Sequence, residues 1–253
     1  MVKTMRMQKL GVVIPLANER DTIAALLTRV TAQLAPQDEV YGVLDRVSQD
    51  GTRAMVEQFG QRDRRVRCVW SPENRSVVDA YFRGYREALD RGCDWILEMD
   101  GGLSHLPEEM PRFIAAMADG AQFAPGSRFT RGGAYRGRWT RKAISLGGSL
   151  LARLLLGTKI KDMTSGFECF SREAMQHVVK HGVRSRAHFF QTEIRYLLST
   201  WKWQEIPITY SNPSDGVGAA TIAEALKNLW RLARSERPPA PALAVEHSQK
   251  MAA

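Results

Sequence analysis

The stretch GVVIPLANERDTIAALLTRV, residues 11–30, contains two hydrophobic periods, one after the other. Residues 11–15 form a short apolar run of the kind found in buried strands. Apolar residues then recur at helical spacing: Ile23, Leu26, Leu27, Val30 and Leu34. The stretch therefore predicts a strand that leads through a short loop into an amphipathic helix.

The same alternation continues to about residue 100. Further strands are predicted at 40–44, 66–70 and 95–99, and further helices at 51–59 and 77–89. This pattern indicates an α/β fold with a mostly parallel, Rossmann-like sheet flanked by helices. Ligands of such sheets bind beyond the carboxyl ends of the strands. Residues 15–19, 45–46 and 100–102 each follow a predicted strand, so we expect them to converge on one crevice.

The second half of the chain has a less regular pattern. Residues 126–140 are rich in glycine and arginine and predict a mobile loop. The elements predicted after it are helices at 141–156, 190–199 and 221–235 and a late strand at 203–210. We expect a single domain over residues 1–237 and a disordered Pro/Ala-rich tail over 238–253.

The chain is basic, because 36 Lys and Arg residues against 27 Asp and Glu residues give a net charge of +9. Such a balance suits phosphorylated small molecules, anionic lipids or nucleic acids, and equally an ordinary solvated surface. No zinc finger, helix-turn-helix or ribonucleoprotein motif is present, so no nucleic acid partner is expected. The cysteines lack C-x-x-C spacing, and no signal peptide or bilayer-spanning apolar run is found. These features predict a reduced, cytoplasmic protein.

The loops after the strands indicate a ligand site of unusual composition. The first loop, PLANERD, has no glycine, which disfavours a Rossmann dehydrogenase, and no P-loop or G-x-S-x-G motif occurs. In EMDGGLSH, residues 98–105, Asp100 follows an apolar run, but Gly102 stands where a second metal-binding acid is expected. Helix capping alone would explain Asn18 and Asp50. It does not explain Asp45 at a strand end.

Seven segments resemble, in the same order, the motifs of family 2 glycosyltransferases, most of all the dolichol/polyprenyl-phosphate mannosyltransferase-like branch. They are PLANE (15–19), DRVSQDGT (45–52), MDGGLSHLPE (99–108), GSRF (126–129), TSGF (164–167), FQTE (190–193) and EIPI (205–208). The resemblance covers about residues 10–235. It implies a GT-A fold and an inverting enzyme that moves a sugar from a nucleoside-diphosphate sugar to an acceptor, by default polyprenyl phosphate.

The resemblance also implies roles for individual residues. The donor nucleotide would be bound by Pro15, Ala17, Glu19, Leu44, Asp45, Arg46, Gly101 and Gly102. The catalytic residues would be Asp100, Arg128 and Arg141, and Glu168, which departs from the family pattern, is a further catalytic candidate. The acceptor side would be formed by Ser145, Asp162 and Gln191. Mg²⁺ or Mn²⁺ would lie at the diphosphate, with Asp100 as its ligand in a weak or altered site.

Two departures from the family motifs change the charge of this pocket. Arg46 replaces the second acid of the D-D pair, and Gly102 replaces the second acid of D-x-D. Two carboxylates are lost and one cation is gained, a change of about three charge units next to a diphosphate. We therefore expect a weakened metal dependence, with Arg46 and Arg128 supplying part of the charge neutralisation.

The acceptor side departs from the family motifs as well. Pro213 and Ala219 stand where lipid-phosphate-using relatives carry an arginine and a lysine. Glu168 stands where those relatives usually carry a basic residue. Glu168, with Asp162 nearby, is a candidate base for a neutral acceptor, and ion pairing with neighbouring arginines is an equally supported alternative.

The sequence leaves three functions open. The first is glycosyl transfer to polyprenyl phosphate, and the second is glycosylation of a small-molecule hydroxyl or amine. The third is nucleotide binding without catalysis, by a descendant that has lost two acids. A peripheral position on an anionic membrane, at its inner face, through the basic amphipathic helix at 221–235 would suit the first function. Packing of that helix on the core is the more common arrangement.

Overall fold

The computed structural model describes residues 6–211 and 219–235. Its first half contains, in order, β1 (Leu10–Leu16), α1 (Ile23–Thr31), β2 (Glu39–Leu44), α2 (Thr52–Arg62), β3 (Val66–Trp70), α3 (Val77–Asp90) and β4 (Trp95–Glu98). Every element predicted for this half is present, and only the ends differ. The apolar runs here are long enough for their period to identify them.

The second half contains shorter strands. After a 3₁₀ turn at Pro107–Glu109 come α4 (Met110–Ala118), β5 (Phe123–Ser127), β6 (Ala134–Arg136), α5 (Trp139–Leu156), β7 (Glu168–Ser171), α6 (Arg172–His181), α7 (Phe190–Leu197), β8 (Ile206–Pro207), β9 (Thr209–Ser211) and α8 (Ala219–Ala233). The predicted late strand is divided into β8 and β9, and the predicted loop at 126–140 contains β6. Strand β7 was not predicted, because four residues are too few to show a period. Pro213 and the tail at 238–253 lie outside the described residues.

Seven strands form one sheet in the order β3-β2-β1-β4-β7-β5-β8. Strands β3, β2, β1 and β4 are parallel, whereas β7 is antiparallel to both of its neighbours, β4 and β5. The predicted α/β fold with a mostly parallel sheet is therefore confirmed. Since Glu168 pairs with Glu98, the amino end of β7 lies at the edge where β4 ends. Strands β6 and β9 pair separately.

Helices cover both faces of the sheet. Along β1, Val13 packs into one apolar cluster, and Val12 and Ile14 pack into a second cluster. This division follows from the alternating directions of side chains along a strand. The first cluster includes α3, α6 and α7, and the second includes α1, α2 and α4. The central strands read as continuous apolar runs because both of their faces are buried.

Helices α5 and α8 leave large apolar side chains in contact with solvent. On α5 these are Trp139, Ile144, Leu146, Leu150, Leu151 and Leu154, and on α8 they are Ile222, Leu226 and Trp230. We call these side chains together the apolar helix face. Within the described ranges, no helix combines the length and apolarity needed to cross a membrane.

Candidate active site

A cavity of about 970 Å³ lies beyond the carboxyl ends of β1, β2 and β4. Glu19, Asp45 and Asp100, from the three loops that follow these strands, all line this cavity. The convergence expected from the strand ends is therefore present in the structure. Other predicted site residues that line the cavity are Pro15, Ala17, Gly101, Gly102, Arg128, Arg141, Ser145 and Gln191.

The loops after β1 and β2 are joined by hydrogen bonds. Asn18 Oδ1 accepts from the backbone N–H of Gln49 at 3.0 Å, and the N–H of Glu19 donates to Thr52 Oγ1 at 2.9 Å. Asn18 therefore does not cap α1, whose N-cap residue is Thr22. Local capping preference could not reveal a partner more than thirty residues away. These bonds hold the two loops in one fixed unit beside the cavity.

The carboxylate of Asp100 is held from two sides. Tyr81 donates its hydroxyl hydrogen to Oδ1 at 3.0 Å, and Ser104 donates to Oδ2 at 3.3 Å. The side chain is 39% exposed, so it is accessible from the cavity. The backbone N–H of Asp100 donates to Nδ1 of the buried His105. Burial lowers the pKa of His105, which favours the neutral ring that this bond requires.

The TSGF loop reaches the same point from the start of β7. A Cβ atom on Gly166 would lie 2.3 Å from Nε2 of Gln191 and 3.1 Å from Oδ1 of Asp100. The missing side chain of Gly166 lets Gln191 Nε2 and Asp100 Oδ1 both approach the loop this closely. The TSGF loop, Gln191 on α7 and Asp100 therefore meet at the cavity.

Arg128 lines the cavity, but its charge is already paired. Its Nε and Nη2 donate to the two carboxylate oxygens of Asp162 at 2.7 and 2.8 Å, and Nη2 also donates to Thr164 Oγ1 at 2.6 Å. Burial would raise the pKa of Asp162, but attraction and hydrogen bonds from Arg128 outweigh burial and lower this pKa to about 2. The side chain of Asp162 is fully buried. Asp162 thus holds Arg128 in place. This role corrects the expectation that Asp162 lies on the acceptor side.

Glu168 is not in the cavity wall, which corrects its expected catalytic position. Its side chain is fully buried, and Arg195 Nε donates to its Oε2 at 2.9 Å. A general base must reach the proton that it removes. The structure therefore favours the ion-pair alternative over catalysis.

Two expected donor-binding residues lie elsewhere. Leu44 is fully buried in the apolar cluster on the α1 side of the sheet. Arg46 is exposed and does not line the cavity. Asp45 Oδ1 accepts from the N–H of Val47, and this turn places Val47 rather than Arg46 at the cavity. The expected partnership of Arg46 and Arg128 is therefore not supported by their positions.

The carboxylates of the cavity do not form a multi-acid metal clamp. In the ranges that the structure describes, no group of three or more His, Cys, Asp or Glu side chains is arranged to hold a metal ion. Both oxygens of Asp100 accept hydrogen bonds from protein hydroxyls. Position 102 contributes no ligand, because it is glycine. Of the two acids of the D-x-D motif, Asp100 alone is present to hold a divalent ion at the diphosphate.

Several lining residues were missed from sequence. Arg75 lies in the loop after β3 and lines the cavity together with His188. The strand-end rule that located the other loops applies to β3 as well and would have identified Arg75. Tyr81 lies on the buried face of α3. Helical spacing gives no signal that its hydroxyl reaches Asp100.

The opposite wall of the cavity is apolar. It includes Ile144 and Leu151 from α5 and Ile222, Leu226 and Leu229 from α8. The first four of these also belong to the apolar helix face. The cavity therefore joins a polar floor at the strand ends to an exposed apolar surface.

Comparison with known proteins identifies close relatives of the sequence. The profile of the family described as glycosyl transferase family 2 matches residues 11–179. The polyprenol monophosphomannose synthase of Mycolicibacterium smegmatis is 31% identical over 89% of this chain and 86% of that protein. The undecaprenyl-phosphate mannosyltransferase of Micrococcus luteus is 30% identical over 87% and 91%. The dolichol-phosphate mannosyltransferase of Pyrococcus furiosus is 29% identical over 90% of this chain, which spans 64% of that protein.

Solved structures show the same architecture. Glucosyl-3-phosphoglycerate synthase from Mycobacterium tuberculosis, in complex with Mn²⁺, uridine diphosphate and phosphoglyceric acid, matches with a TM-score of 0.68 and 16% identity. The match covers 92% of this chain and 81% of that one. The same enzyme with Mg²⁺ and uridine diphosphate matches with a TM-score of 0.66. The expected GT-A fold is thereby confirmed.

Proposed function

The chain belongs to glycosyltransferase family 2, and on that premise we propose that it transfers a sugar from a nucleoside-diphosphate sugar to polyprenyl phosphate. Mannose is the first sugar to test, because the three named relatives are mannose-transferring enzymes. The observation that carries the proposal is the two-sided cavity. Its polar floor suits a sugar diphosphate, and its apolar wall suits a polyprenyl chain.

The reaction forms one bond and breaks another at the anomeric carbon. An oxygen of the acceptor phosphate attacks this carbon, the bond to the donor diphosphate breaks, and the nucleoside diphosphate leaves. An ionised phosphate oxygen has no proton to lose, so no general base is needed. A site whose candidate base, Glu168, is buried and paired with Arg195 is consistent with such an acceptor. A hydroxyl or amine acceptor would need a base instead.

Asp100 is the carboxylate that we place beside the reacting sugar. Positive charge develops on the sugar ring in the transition state, and a fixed anion nearby stabilises it. Tyr81 and Ser104 restrict the carboxylate to one orientation. Such preorganisation is effective because little reorientation is needed during the reaction.

Arginines are proposed to neutralise the leaving diphosphate. Arg75, Arg128 and Arg141 all line the cavity, and Asp162 holds the guanidinium of Arg128. The charge compensation expected at Arg46 is assigned to these lining arginines, because Arg46 does not line the cavity. A divalent ion, if bound beside Asp100, would supply further neutralisation of the diphosphate.

The apolar helix face is proposed to lie on an anionic membrane surface, where the lipid acceptor resides. Helix α5 contains Arg141, Lys142 and Arg153 and no acidic residue. Cations beside exposed apolar side chains favour binding to anionic lipid. This face continues into the cavity wall, so an acceptor phosphate could reach Asp100 while its chain remains in the lipid.

The test is transfer by the purified chain to polyprenyl phosphate in detergent or vesicles, with labelled UDP-, GDP- and dTDP-sugars. We expect a lipid-linked sugar phosphate with at least one donor. Transfer only to added small-molecule alcohols or amines would reject the lipid acceptor. Nucleotide binding without transfer or hydrolysis over the whole panel would reject catalysis.

A further inference from the structure

Arg195 on α7 is among the largest fully buried side chains of the described chain and does not line the cavity. Its Nε donates to Glu168 Oε2 at 2.9 Å. Its Nη2 donates to the carbonyl oxygens of Gly126 and Ser165 at 3.2 and 3.0 Å, and its Nη1 donates to the carbonyl oxygen of Asp162. One guanidinium thus holds β7 and three separate backbone positions.

These three carbonyls belong to the segments that form the cavity floor. Gly126 precedes Ser127 and Arg128 at the end of β5. Asp162 is the partner of Arg128. Ser165 lies within the TSGF loop, whose residue Gly166 closely approaches Asp100. Arg195 therefore fixes, from beneath, the segments that carry Arg128 and the TSGF loop.

The counter-charge for this guanidinium comes from Glu168. A buried cation that lost its partner would strongly destabilise the fold. Glu98 faces Glu168 across the β4–β7 ladder and is also fully buried. Oε1 of each glutamate has no hydrogen-bond partner in the described structure. A proton held between the two side chains would satisfy both oxygens and leave one net negative charge opposite Arg195.

We propose that Arg195 is a positioning residue for the transfer reaction, which holds three backbone carbonyls so that Arg128 and Gly166 keep their places around Asp100. The inference rests on the proposed function only for its turnover measurement. The buried cation comes from α7, and Glu168 at the start of β7 anchors it.

The test separates positioning from charge balance with two variants. Arg195→Met alone leaves two buried glutamates without a cation, so it is expected to destabilise the fold. Arg195→Met combined with Glu168→Met replaces the ion pair by apolar side chains, an exchange that is often tolerated. We expect the double variant to fold but to lose turnover by about tenfold or more, because the floor segments lose their fixed geometry. Donor affinity should stay within about twofold, since the loops at 15–19 and 45–52 are held by their own bonds.

Conservative replacement and a matched control complete the design. Arg195→Lys keeps the charge but lacks the fork that reaches three carbonyls, so we expect partial turnover in a stably folded protein. Arg172→Met removes a guanidinium that donates to the carbonyl of Cys93, just before the start of β4, and should leave turnover unchanged. Wild-type turnover in both the double variant and Arg195→Lys would overturn the proposal.

Amide hydrogen exchange provides a measurement that does not depend on activity. We expect faster exchange at residues 126–130 and 162–166 in the double variant and not in Arg172→Met. If the wild-type chain shows no transfer, the proposed function fails, and the exchange result still decides the positioning role. Unchanged exchange in both segments would contradict that role.

Discussion

Gly102 leaves space next to Asp100 that faces the carboxylate of Glu19. A Cβ atom at position 102 would lie 3.8 Å from both Glu19 oxygens, an ordinary contact distance, and the φ angle of Gly102 is not in the left-handed region. An aspartate can therefore be accommodated there. Gly102→Asp would place a second carboxylate beside Asp100 and restore the two-acid arrangement of D-x-D.

We expect Gly102→Asp to make the enzyme dependent on a divalent ion. The wild-type chain should keep most of its turnover after exhaustive EDTA treatment, whereas the variant should lose about tenfold and recover with Mn²⁺. Direct Mn²⁺ binding, followed by paramagnetic resonance, should tighten in parallel. Gly102→Asn, which has the same size without the charge, is the control. Complete loss of wild-type turnover in EDTA, restored only by metal, would contradict arginine-based neutralisation.

Tyr81→Phe removes the hydroxyl that orients Asp100 Oδ1. We expect turnover to fall by about tenfold while donor affinity changes little, because one hydrogen bond to a charged group contributes about 1.5–3 kcal/mol. Tyr135→Phe is a suitable control, since the Tyr135 hydroxyl is buried and has no hydrogen-bond partner among the described residues, and its ring also lies near Arg128. Equal turnover in the two variants would exclude an orienting role for Tyr81.

Between elements, the β4–β7 ladder carries a pH-sensitive pair. Burial raises the pKa of Glu98 well above its ordinary value, and burial raises the pKa of Glu168 from 4.5 to about 7 despite the attraction of Arg195. A carboxyl group whose pKa is raised by folding stabilises the native state. This stabilisation is complete at pH values below the pKa that the group has in the unfolded chain. That stabilisation is lost as the pH rises towards the folded pKa. The free energy of unfolding should therefore fall from about pH 4.5 through pH 7, and it should keep falling above pH 7 for as long as Glu98 retains its proton.

Glu98→Gln should remove most of this loss. A glutamine amide can donate to Glu168 and accept from Tyr85, as protonated Glu98 does, without a proton that titrates. The variant should match the wild type near pH 4.5 and exceed it at pH 7.5 by about 1 kcal/mol or more, since each pH unit contributes about 1.4 kcal/mol per proton. Urea unfolding of both proteins across this range measures the difference. His105 and His177, whose pKa values burial lowers, are present in both proteins and cancel. A constant difference at all pH values would contradict the shared proton.

How well each element could be predicted from the sequence depended on the length of its hydrophobic pattern. The strands β1 to β4 are buried on both faces and gave continuous apolar runs. Strand β7 has four residues and begins with Glu168, so nothing in its sequence marked it as a buried strand. Because β7 was missed, the partner of Glu98 and the burial of Glu168 were missed with it.

At the scale of the whole molecule, one exposed face is expected to bind lipid. Trp139 and Leu154 are 78% and 72% exposed and do not line the cavity. Replacing both with serine should weaken binding to anionic vesicles by about tenfold or more, because each buried side chain contributes about 1.5–3 kcal/mol. Added salt should weaken binding further. Turnover on a short-chain, water-soluble acceptor should be unchanged.

Co-sedimentation with vesicles of defined anionic content measures this binding. Met7→Ser is the control, since Met7 is 92% exposed and is not part of the apolar helix face. Failure of the wild-type chain to co-sediment would reject the membrane proposal. If the double serine variant binds vesicles as well as the wild type, the membrane contact lies on another surface of the protein.

The sequence predicted which loops meet at the cavity but not the ion pairs around it. Strand ends and ordered motifs were sufficient to bring Glu19, Asp45 and Asp100 to one cavity, because topology fixes where loops meet. Whether an arginine carries usable charge depends on its partners across the chain. Arg128 is paired with Asp162, and Arg46 lies outside the cavity, and neither fact is encoded in local spacing.

The direction of β7 has a consequence for how such enzymes can diverge. The chain contacts Asp100 at Ser104 and His105 and returns to it at Gly166, so the segment between them starts and ends at the same place. When both ends of a segment are fixed, lengthening the segment raises the free-energy cost of loop closure only slightly, by about 0.6 kcal/mol for each doubling of length. Insertions in the surface loops of this segment can therefore be absorbed without displacing Asp100 or the end of β5, which leads into Arg128.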